Sequence, residues 1–221
     1  MFEHIKKIMK YFILLITLPL FIVSCISIKS EYPKIDYYRL TQDATSLKDL
    51  KKQDVTLQIR SFNVSQDIDT DHLLAQIGSN QIKVYYYHRW VTDVPSMVTD
   101  FFISRFSQYE IFKGSVVGTN TIAIPDYIVE GQVLDMIAYN SLNNEPGTNS
   151  VVVTLKVNII KYNALSIDKD IISSEIYTNR TYRSDNTASS IAPAFSKCFS
   201  LIGDMVLSDI IKAIDKSNIK N

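Results

Sequence analysis

The chain has 221 residues, with 23 basic residues (Lys and Arg) against 23 acidic ones, so its formal net charge at neutral pH is zero. Apolar residues make up 46% of it and charged residues 21%, a composition that excludes an intrinsically disordered chain. The lack of a basic excess argues against nucleic-acid binding, which needs cations for the phosphates. The length predicts one folded domain.

The first 24 residues have the pattern of a secretory signal peptide. Three lysines precede an uncharged, largely apolar run of 13 residues that ends at Val23. This run is shorter than the ~20 residues that span a bilayer, and its length fits a signal sequence. Ile22-Val23-Ser24-Cys25 resembles the bacterial lipoprotein signal, in which the chain is cut before the cysteine. The cysteine then carries a diacylglycerol, and its new amino group is acylated. The alternative is an ordinary signal peptide with a chance cysteine.

A lipid on Cys25 would hold the mature chain at a membrane. Cleavage between Ser24 and Cys25 removes three lysines and one glutamate from 23 residues of each sign, which leaves a formal charge of −2. A body of that charge binds anionic lipid poorly, so the acyl chains must anchor it. Ile26 stands where an Asp would mark inner-membrane retention in a Gram-negative host. We therefore expect attachment to the outer membrane, facing the periplasm, through a tether over residues 25–36.

Two strands and a short helical turn are predicted in the next part of the chain. Val55–Phe62 alternates apolar and polar residues, which is the pattern of a half-buried strand. Asp71–Ile77 is predicted to form a short turn of helix. Gln81–His88 is rich in β-branched and aromatic residues, which favour a strand.

A helix is predicted after residue 92. Thr92-Asp93-Val94-Pro95 combines a polar capping residue with a proline suited to the first turn. Over Ser96–Tyr109 the apolar residues recur at spacings of three and four, as in an amphipathic helix. Gly114 and Gly118 interrupt the helical pattern, and a short strand is predicted near Ile111–Val117.

Three long strands and a long helix are predicted in the remainder. The strands cover Asp126–Tyr139, Ser150–Tyr162 and Ile171–Arg183, and exposed links join them into an antiparallel meander. Ser189–Asp215 has apolar residues at a period near 3.6, which predicts an amphipathic helix. Cys198 lies in that pattern, and we expect it to be a buried thiol without a disulfide partner.

Motifs of nucleotide binding, nucleophilic catalysis and metal binding are missing from the sequence. After signal cleavage two histidines remain, His72 and His88, and no nucleophile stands at a meaningful spacing from either. We therefore expect no enzymatic activity, no metal and no cofactor apart from the covalent lipid. A hydrolase that uses His72 or His88 is the rival hypothesis.

The aromatic segment Tyr85–Trp90 supplies the candidate partner-binding residues. Tyrosine, tryptophan and arginine are enriched at binding hot spots, which points to Tyr85, Tyr87, Arg89 and Trp90. Alternation along a strand would place Tyr85 and Tyr87 on one face, and Arg89 would order the turn into the helix. The alternative is that these rings pack in the core of an aromatic-rich sheet.

Several of these segments, in this order, resemble the ABC-type transport auxiliary lipoproteins, the family that includes the outer-membrane lipoprotein of the Pqi system. The resemblance covers nearly all of the mature chain. Its matching segments are Cys25, Tyr37-Tyr38-Arg39-Leu40, the strand Val55–Phe62, the segment His88–Pro95, the Val-x-Gly-x-Val strand within Asp126–Asp135, and the terminal helix Ser189–Ile214.

The resemblance implies an α/β fold in one domain over residues 37–216, followed by a tail, 217–221. In that fold a mixed, largely antiparallel sheet carries two main amphipathic helices. It also implies a non-enzymatic role in moving lipids or other hydrophobic molecules between membranes, with an MCE-type periplasmic protein and inner-membrane transporter subunits as partners. Self-association into a homo-oligomer is compatible with this role, though no residue demonstrates it. The alternative is a lipoprotein that itself binds a small apolar ligand between sheet and helices.

Overall fold

The computed structural model describes residues 1–10, 32–43, 47–141, 149–162 and 170–219. Met1–Lys34 and Ile35–Asn221 are two separate compact units. In the first unit, residues 2–10 are helical. Ser24 and Cys25 lie outside the described residues, as do most of the links predicted at 140–149 and 163–170. Cleavage and lipidation at Cys25 therefore stay predictions.

The second unit contains a nine-stranded sheet and two main helices within its described residues. The strands are β1 (Asp36–Tyr38), β2 (Leu57–Ile59), β3 (Asn63–Val64), β4 (His72–Ile77), β5 (Gln81–Trp90), β6 (Val116–Val117), β7 (Tyr127–Asn140), β8 (Ser150–Lys161) and β9 (Asp170–Tyr182). The helices are α1 (Val94–Ser107) and α2 (Ile191–Ile219), and a 3₁₀ turn over Ala188–Ser190 leads into α2.

Strand β7 is the central strand of the sheet. Along one side it pairs in parallel with β2, β3 and β4, which follow one another from its start to its end. Its other side pairs with β8 in antiparallel fashion, and β9 continues beyond β8. Beyond β4 lie β5 and then β1, so β1 and β9 form opposite edges of the sheet.

The predicted meander of three long antiparallel strands is confirmed as β7, β8 and β9. Alternate residues of β8 turn their side chains to the core, where they are at most 2% exposed; these are Val151, Val153, Leu155, Val157 and Ile159. The apolar period of two in the sequence thus corresponds to the face of the sheet on which the helices pack.

The strand predicted over Val55–Phe62 is shorter in the structure, because the chain leaves the sheet after Ile59 and pairs again only at Asn63. Phe62 fills the space over Gly131 of β7 and stacks on Phe102 of α1, with ring centroids 5.0 Å apart. A Cβ atom at position 131 would lie 2.2 Å from the Phe62 ring. This close approach explains why a glycine stands inside the Val-x-Gly-x-Val strand.

The helical turn predicted over Asp71–Ile77 is wrong, because these residues form strand β4. β4 pairs with β5 on one side and with β7 on the other. Leu73, Leu74 and Ala75 are all buried, so both of its faces are covered. Gly78, with a φ of 62°, begins the tight turn that leads into β5. Pairing with two strands thus overrides a local pattern that fits a helix.

Helix α1 begins where the sequence predicts. The side chain of its capping residue, Asp93, accepts a hydrogen bond from the Ser96 backbone N–H at 2.8 Å, and Pro95 lies in the first turn. This bond lowers the pKa of the Asp93 carboxyl below its usual value. The apolar residues then form the buried face; they are Met97, Val98, Phe101, Phe102 and Phe106.

Helix α2 packs on β8 and β9 and contacts α1. Phe199 of α2 lies 5.8 Å, centroid to centroid, from Phe101 of α1, within one continuous core cluster. Cys198 is fully buried there, as predicted, and has a free thiol. The fold class is thus confirmed: a mixed, largely antiparallel sheet with two main helices packed on it in one unit.

Candidate functional site

The aromatic segment lies on β5 at a large bulge. Between Leu73 and His72, consecutive residues of β4, the pairing on β5 jumps from Tyr85 to Arg89. Tyr86, Tyr87 and His88 therefore have no partner on β4, although His88 pairs with Asp36 on β1. On its other side, β5 pairs in parallel with the edge strand β1.

The bulge separates the four predicted partner-binding residues. Trp90 is only 4% exposed and packs against Phe195 of α2, with ring centroids 6.0 Å apart, so its ring belongs to the core. Tyr85 packs partly against the core, and its hydroxyl accepts a hydrogen bond from Asn140 at 3.0 Å. Tyr87 is 51% exposed. The bulge interrupts the alternation from which the expectation that Tyr85 and Tyr87 share a face was derived, so that expectation stays a prediction.

Arg89 stabilises the bulge and not, as expected, the turn into α1. Its Nη1 lies 3.3 Å from Asp71 Oδ2, and its Nε donates to the Tyr86 carbonyl oxygen at 3.4 Å. The first contact ties Arg89 to the residue before β4, and the second ties it to the first residue of the bulge. Binding of a partner through Tyr85, Tyr87 and Arg89 stays a prediction.

His72 and His88 also lie at this bulge. Nδ1 of His72 is 3.0 Å from Asp71 Oδ1 and 3.2 Å from the Thr70 hydroxyl. Nδ1 of His88 is 2.9 Å from the Tyr38 hydroxyl and 3.8 Å from Asp36 Oδ2.

Neither arrangement is that of a hydrolase triad. A triad places the carboxylate and the nucleophile on opposite ring nitrogens, whereas here both groups contact the same nitrogen. Nε2 of His72 is buried without a hydrogen-bond partner, so it is shielded from a substrate. The geometry at these two histidines gives no support to the rival hydrolase hypothesis, and the expectation of no enzymatic activity stays a prediction.

Strand β9 presents a long edge to solvent. Within the described chain it has a strand partner, β8, on one side only. The Arg183 N–H, just after β9, donates to the Asn149 carbonyl, just before β8. Hydrogen-bonded and non-hydrogen-bonded residue pairs alternate along an antiparallel ladder. The odd-numbered residues of β9 therefore hydrogen-bond to β8. The even-numbered residues then direct their N–H and C=O groups outward; these are Ser174, Ile176, Thr178, Arg180 and Tyr182.

The side chains of those five residues are all exposed, on the face of the sheet away from the helices. Ile176 and Tyr182 are 63% and 65% exposed. On the opposite face, Tyr177 is buried, and its hydroxyl donates to Asp209 of α2 at 2.9 Å. Burial and this hydrogen bond raise the Tyr177 pKa. The β9 edge therefore combines unpaired backbone groups with exposed apolar side chains.

A buried ion pair that sequence patterns did not reveal joins the two helices. Arg105 of α1 donates to both carboxylate oxygens of Asp204 on α2, at 2.7 and 2.9 Å, and is 1% exposed. The Tyr109 hydroxyl donates to the same carboxylate at 2.6 Å, and burial raises its pKa. The pair positions elements 99 residues apart, and no local spacing signals such a contact.

A second buried arginine ties the end of β9 to the start of α2. Arg183 donates to Ser190 Oγ at 3.0 Å, to Asn140 Oδ1 at 2.5 Å and to the Thr187 carbonyl at 2.6 Å. Burial lowers the pKa of this guanidinium. These contacts are structural, and they fix the position of the β9 edge relative to α2.

The interface between sheet and helices, where the alternative hypothesis places an apolar ligand, is filled by the continuous core cluster. Grooves open at the margin of this interface, between β9 and α2, and on the other face of the sheet. One of about 530 Å³ runs beside α2 and is lined by Leu47, Leu201 and Met205, among others. Another of about 400 Å³ lies on the face of the sheet away from the helices and holds Asp135, whose pKa is raised by burial and then by Asp67.

Two features are absent from the residues that the structure describes. None of their helices combines the length and the apolar character needed to cross a membrane. Among the same residues, no three His, Cys, Asp or Glu side chains are grouped to hold a metal ion.

Comparison with known proteins gives similarity in fold. No family model matches the chain, and no curated protein matches it. A crystal structure of protein XCC0632 from Xanthomonas campestris, assigned to the DUF330 family, superimposes with a TM-score of 0.70 at 14% identity, covering 82% of this chain and 98% of that one. An uncharacterised protein superimposes with a TM-score of 0.61 at 9% identity, covering 80% and 99%. The chain therefore shares the fold of these proteins.

Proposed function

We propose that this chain is a lipid-anchored, non-enzymatic protein of the outer membrane that faces the periplasm. In this proposal it docks a transport system that moves lipids or other hydrophobic compounds between membranes. Its partners are an MCE-type periplasmic protein and inner-membrane transporter subunits, as the resemblance to the ABC-type transport auxiliary lipoproteins implies.

Three observations support the proposal. The sequence pattern of a lipoprotein signal ends at Cys25, and Ile35–Asn221 form a compact unit. The fold is shared over most of the chain with a DUF330 protein from Xanthomonas campestris. The two histidines at the bulge lack triad geometry. A tethered domain whose two histidines are not arranged for catalysis is suited to binding another protein.

The observation that carries the docking role is the β9 edge. Unpaired N–H and C=O groups on an edge strand are a template for an added strand, and natural proteins usually cover or interrupt such edges. β9 runs for 13 residues without a proline. A partner strand added there would hydrogen-bond to the outward backbone groups and pack side chains beside Ile176 and Tyr182.

Substitution of Thr178 by proline tests this docking mode. Proline removes the outward N–H at the middle of the edge but leaves the hydrogen bonds to β8 in place. Thr178→Ala is the matched control, because both variants lose the hydroxyl contact with Thr154 at 3.1 Å while alanine keeps the N–H. We expect crosslinking and pull-down from envelopes to recover transporter or MCE-type subunits with Thr178→Ala and far less with Thr178→Pro. Equal recovery with both variants would reject the β9 edge.

The anchor is tested separately with Cys25→Ser. Without the thiol no diacylglycerol is attached, so we expect palmitate labelling to be lost and the chain to remain a precursor or leave the membrane fraction. Ser24→Ala, which keeps a small residue before the cysteine, is the control and should be labelled normally. Labelling of the Cys25→Ser variant would contradict the assignment.

A second candidate, binding of a small apolar ligand, rests on the groove beside α2, where Leu201 and Met205 are 42% and 45% exposed. Native mass spectrometry after mild extraction distinguishes the two functions. A stoichiometric lipid on the purified protein favours ligand binding, and a ligand-free protein that still captures its partner favours docking.

A further inference from the structure

We propose that the corner of the sheet formed by β1 and the β5 bulge rests on the lipid surface and holds the β9 edge away from it. This membrane-facing corner consists of Tyr37, Tyr86, Tyr87 and Val91. The inference deepens the proposed function, because it depends on the lipid anchor at Cys25.

The corner carries large apolar side chains that are more than half exposed and so contribute little to the core. Tyr37, Tyr86 and Val91 are 62%, 65% and 60% exposed, and Tyr87 is 51% exposed. Tyrosine has an apolar ring and a polar hydroxyl, and it is enriched where membrane proteins meet the lipid headgroups.

These side chains lie close together on neighbouring strands. Tyr37 is paired with Arg89, whose Nε donates to the Tyr86 carbonyl. The Val91 N–H donates to the Tyr38 carbonyl at 2.8 Å. The ring of Tyr86 stands edge-on to His72, the β4 residue paired with Arg89, which places it over the same part of the sheet.

The local charges suit a lipid surface. Asp71 and Asp36 lie at the corner, and each has a basic side chain beside it. Asp71 contacts Arg89 at 3.3 Å and His72 at 3.0 Å, and Asp36 lies 3.8 Å from His88. The charge of Arg89 beside Asp71 limits repulsion between that carboxylate and anionic headgroups.

The length of the predicted tether favours lipid as the molecule that covers this surface. Ten residues separate Cys25 from Asp36, the first residue of β1, and even a fully extended chain of that length reaches only about 36 Å. The corner is therefore held close to the anchoring leaflet, where a weak contact is favoured by the high effective concentration of lipid. β9 lies five strand spacings away, about 24 Å across the sheet.

Spin labels on the full lipidated protein in vesicles test the proposal. The labels are placed on Tyr37→Cys and Tyr86→Cys, with Thr178→Cys on β9 as the matched control, in vesicles of phosphatidylethanolamine and phosphatidylglycerol at 3:1. The label reacts with the introduced thiol, because Cys198 is fully buried and the lipid occupies the Cys25 sulfur. We expect collisions with a water-soluble nickel chelate to be several-fold rarer at positions 37 and 86 than at 178, and collisions with oxygen to be more frequent.

Flotation of the same vesicles separates the two possible failures. Protein that does not float with the vesicles lacks the anchor, which overturns the proposed function and this inference with it. Protein that floats but has all three labels equally accessible to the nickel chelate overturns the membrane contact alone and leaves the corner for a protein partner. Each labelled variant must also melt at the temperature of the parent protein.

Discussion

At the scale of single residues, the ion pair between Arg105 and Asp204 has the largest expected effect on stability. A buried charge is costly once its partner is removed, so Arg105→Met should lower the free energy of unfolding by about 3–5 kcal/mol. Urea denaturation measures this loss. Lys212→Ala, which removes an exposed contact with Asp209 at 2.9 Å, is the control and should cost about 1 kcal/mol or less.

The double variant Arg105→Met/Asp204→Leu distinguishes two contributions to the loss of stability. One is the destabilisation by a buried carboxylate without its partner, and the other is the loss of the stabilisation that the ion pair itself provides. Replacing both partners with apolar side chains removes the uncompensated carboxylate, so much of the lost stability should return. If the double variant is as unstable as Arg105→Met alone, the pair itself stabilises the contact between α1 and α2 and the stranded charge contributes little.

Cys198 is expected to be inert in the folded protein. Burial raises the pKa of its thiol to about 11, so the reactive thiolate is scarce at neutral pH, and the side chain is also inaccessible. In a Cys25→Ser background, we expect DTNB to release no thionitrobenzoate from native protein at pH 8 and one equivalent in denaturant. Rapid reaction of the native protein would mean that α2 separates readily from the sheet.

At the scale of elements, the N-terminal cap of α1 gives the sharpest prediction. Asp93→Ala removes the bond to the Ser96 N–H and should lower the free energy of unfolding by about 1 kcal/mol at pH 7. The folded-state pKa of this carboxyl lies below its usual value, so the stabilisation is full above the unfolded-state pKa and is lost as the pH falls through the folded-state pKa. Urea denaturation from pH 7 down to 2 should therefore show the two proteins converging in acid, and Asp93→Asn, a good cap without a charge, should lose less.

Elements whose pattern and pairing agree could be predicted from the sequence. The period of two in β8 and the cap and spacing of α1 are local signals, and the structure confirms both. The segment Asp71–Ile77 failed because Leu73, Leu74 and Ile77 also fit the spacing of a helix. In the sequence, Gly78 shortly before the predicted strand at Gln81 was the signal of a hairpin that joins β4 and β5.

At the scale of the whole molecule, the sequence revealed composition and order but few long-range contacts. The order of the matching segments suggested a mixed sheet with two helices, which the structure confirms. The bulge at Tyr86–His88, the burial of Trp90 against Phe195 and the exposed edge of β9 depend on residues far apart in the chain. Local periodicity cannot report such contacts, and so the candidate surfaces could be located only in three dimensions.

The central place of β7 has a consequence for how the protein is made. β2 and β4 pair with residues of β7 that lie about 60 to 70 positions later in the chain. Neither strand therefore has its parallel neighbour until β7 has emerged, and sheets built from such distant pairs form slowly. In the proposed route of export, the chain crosses the inner membrane most easily while it is still unfolded. The topology itself thus delays the folded state until more than half of the polypeptide has been delivered.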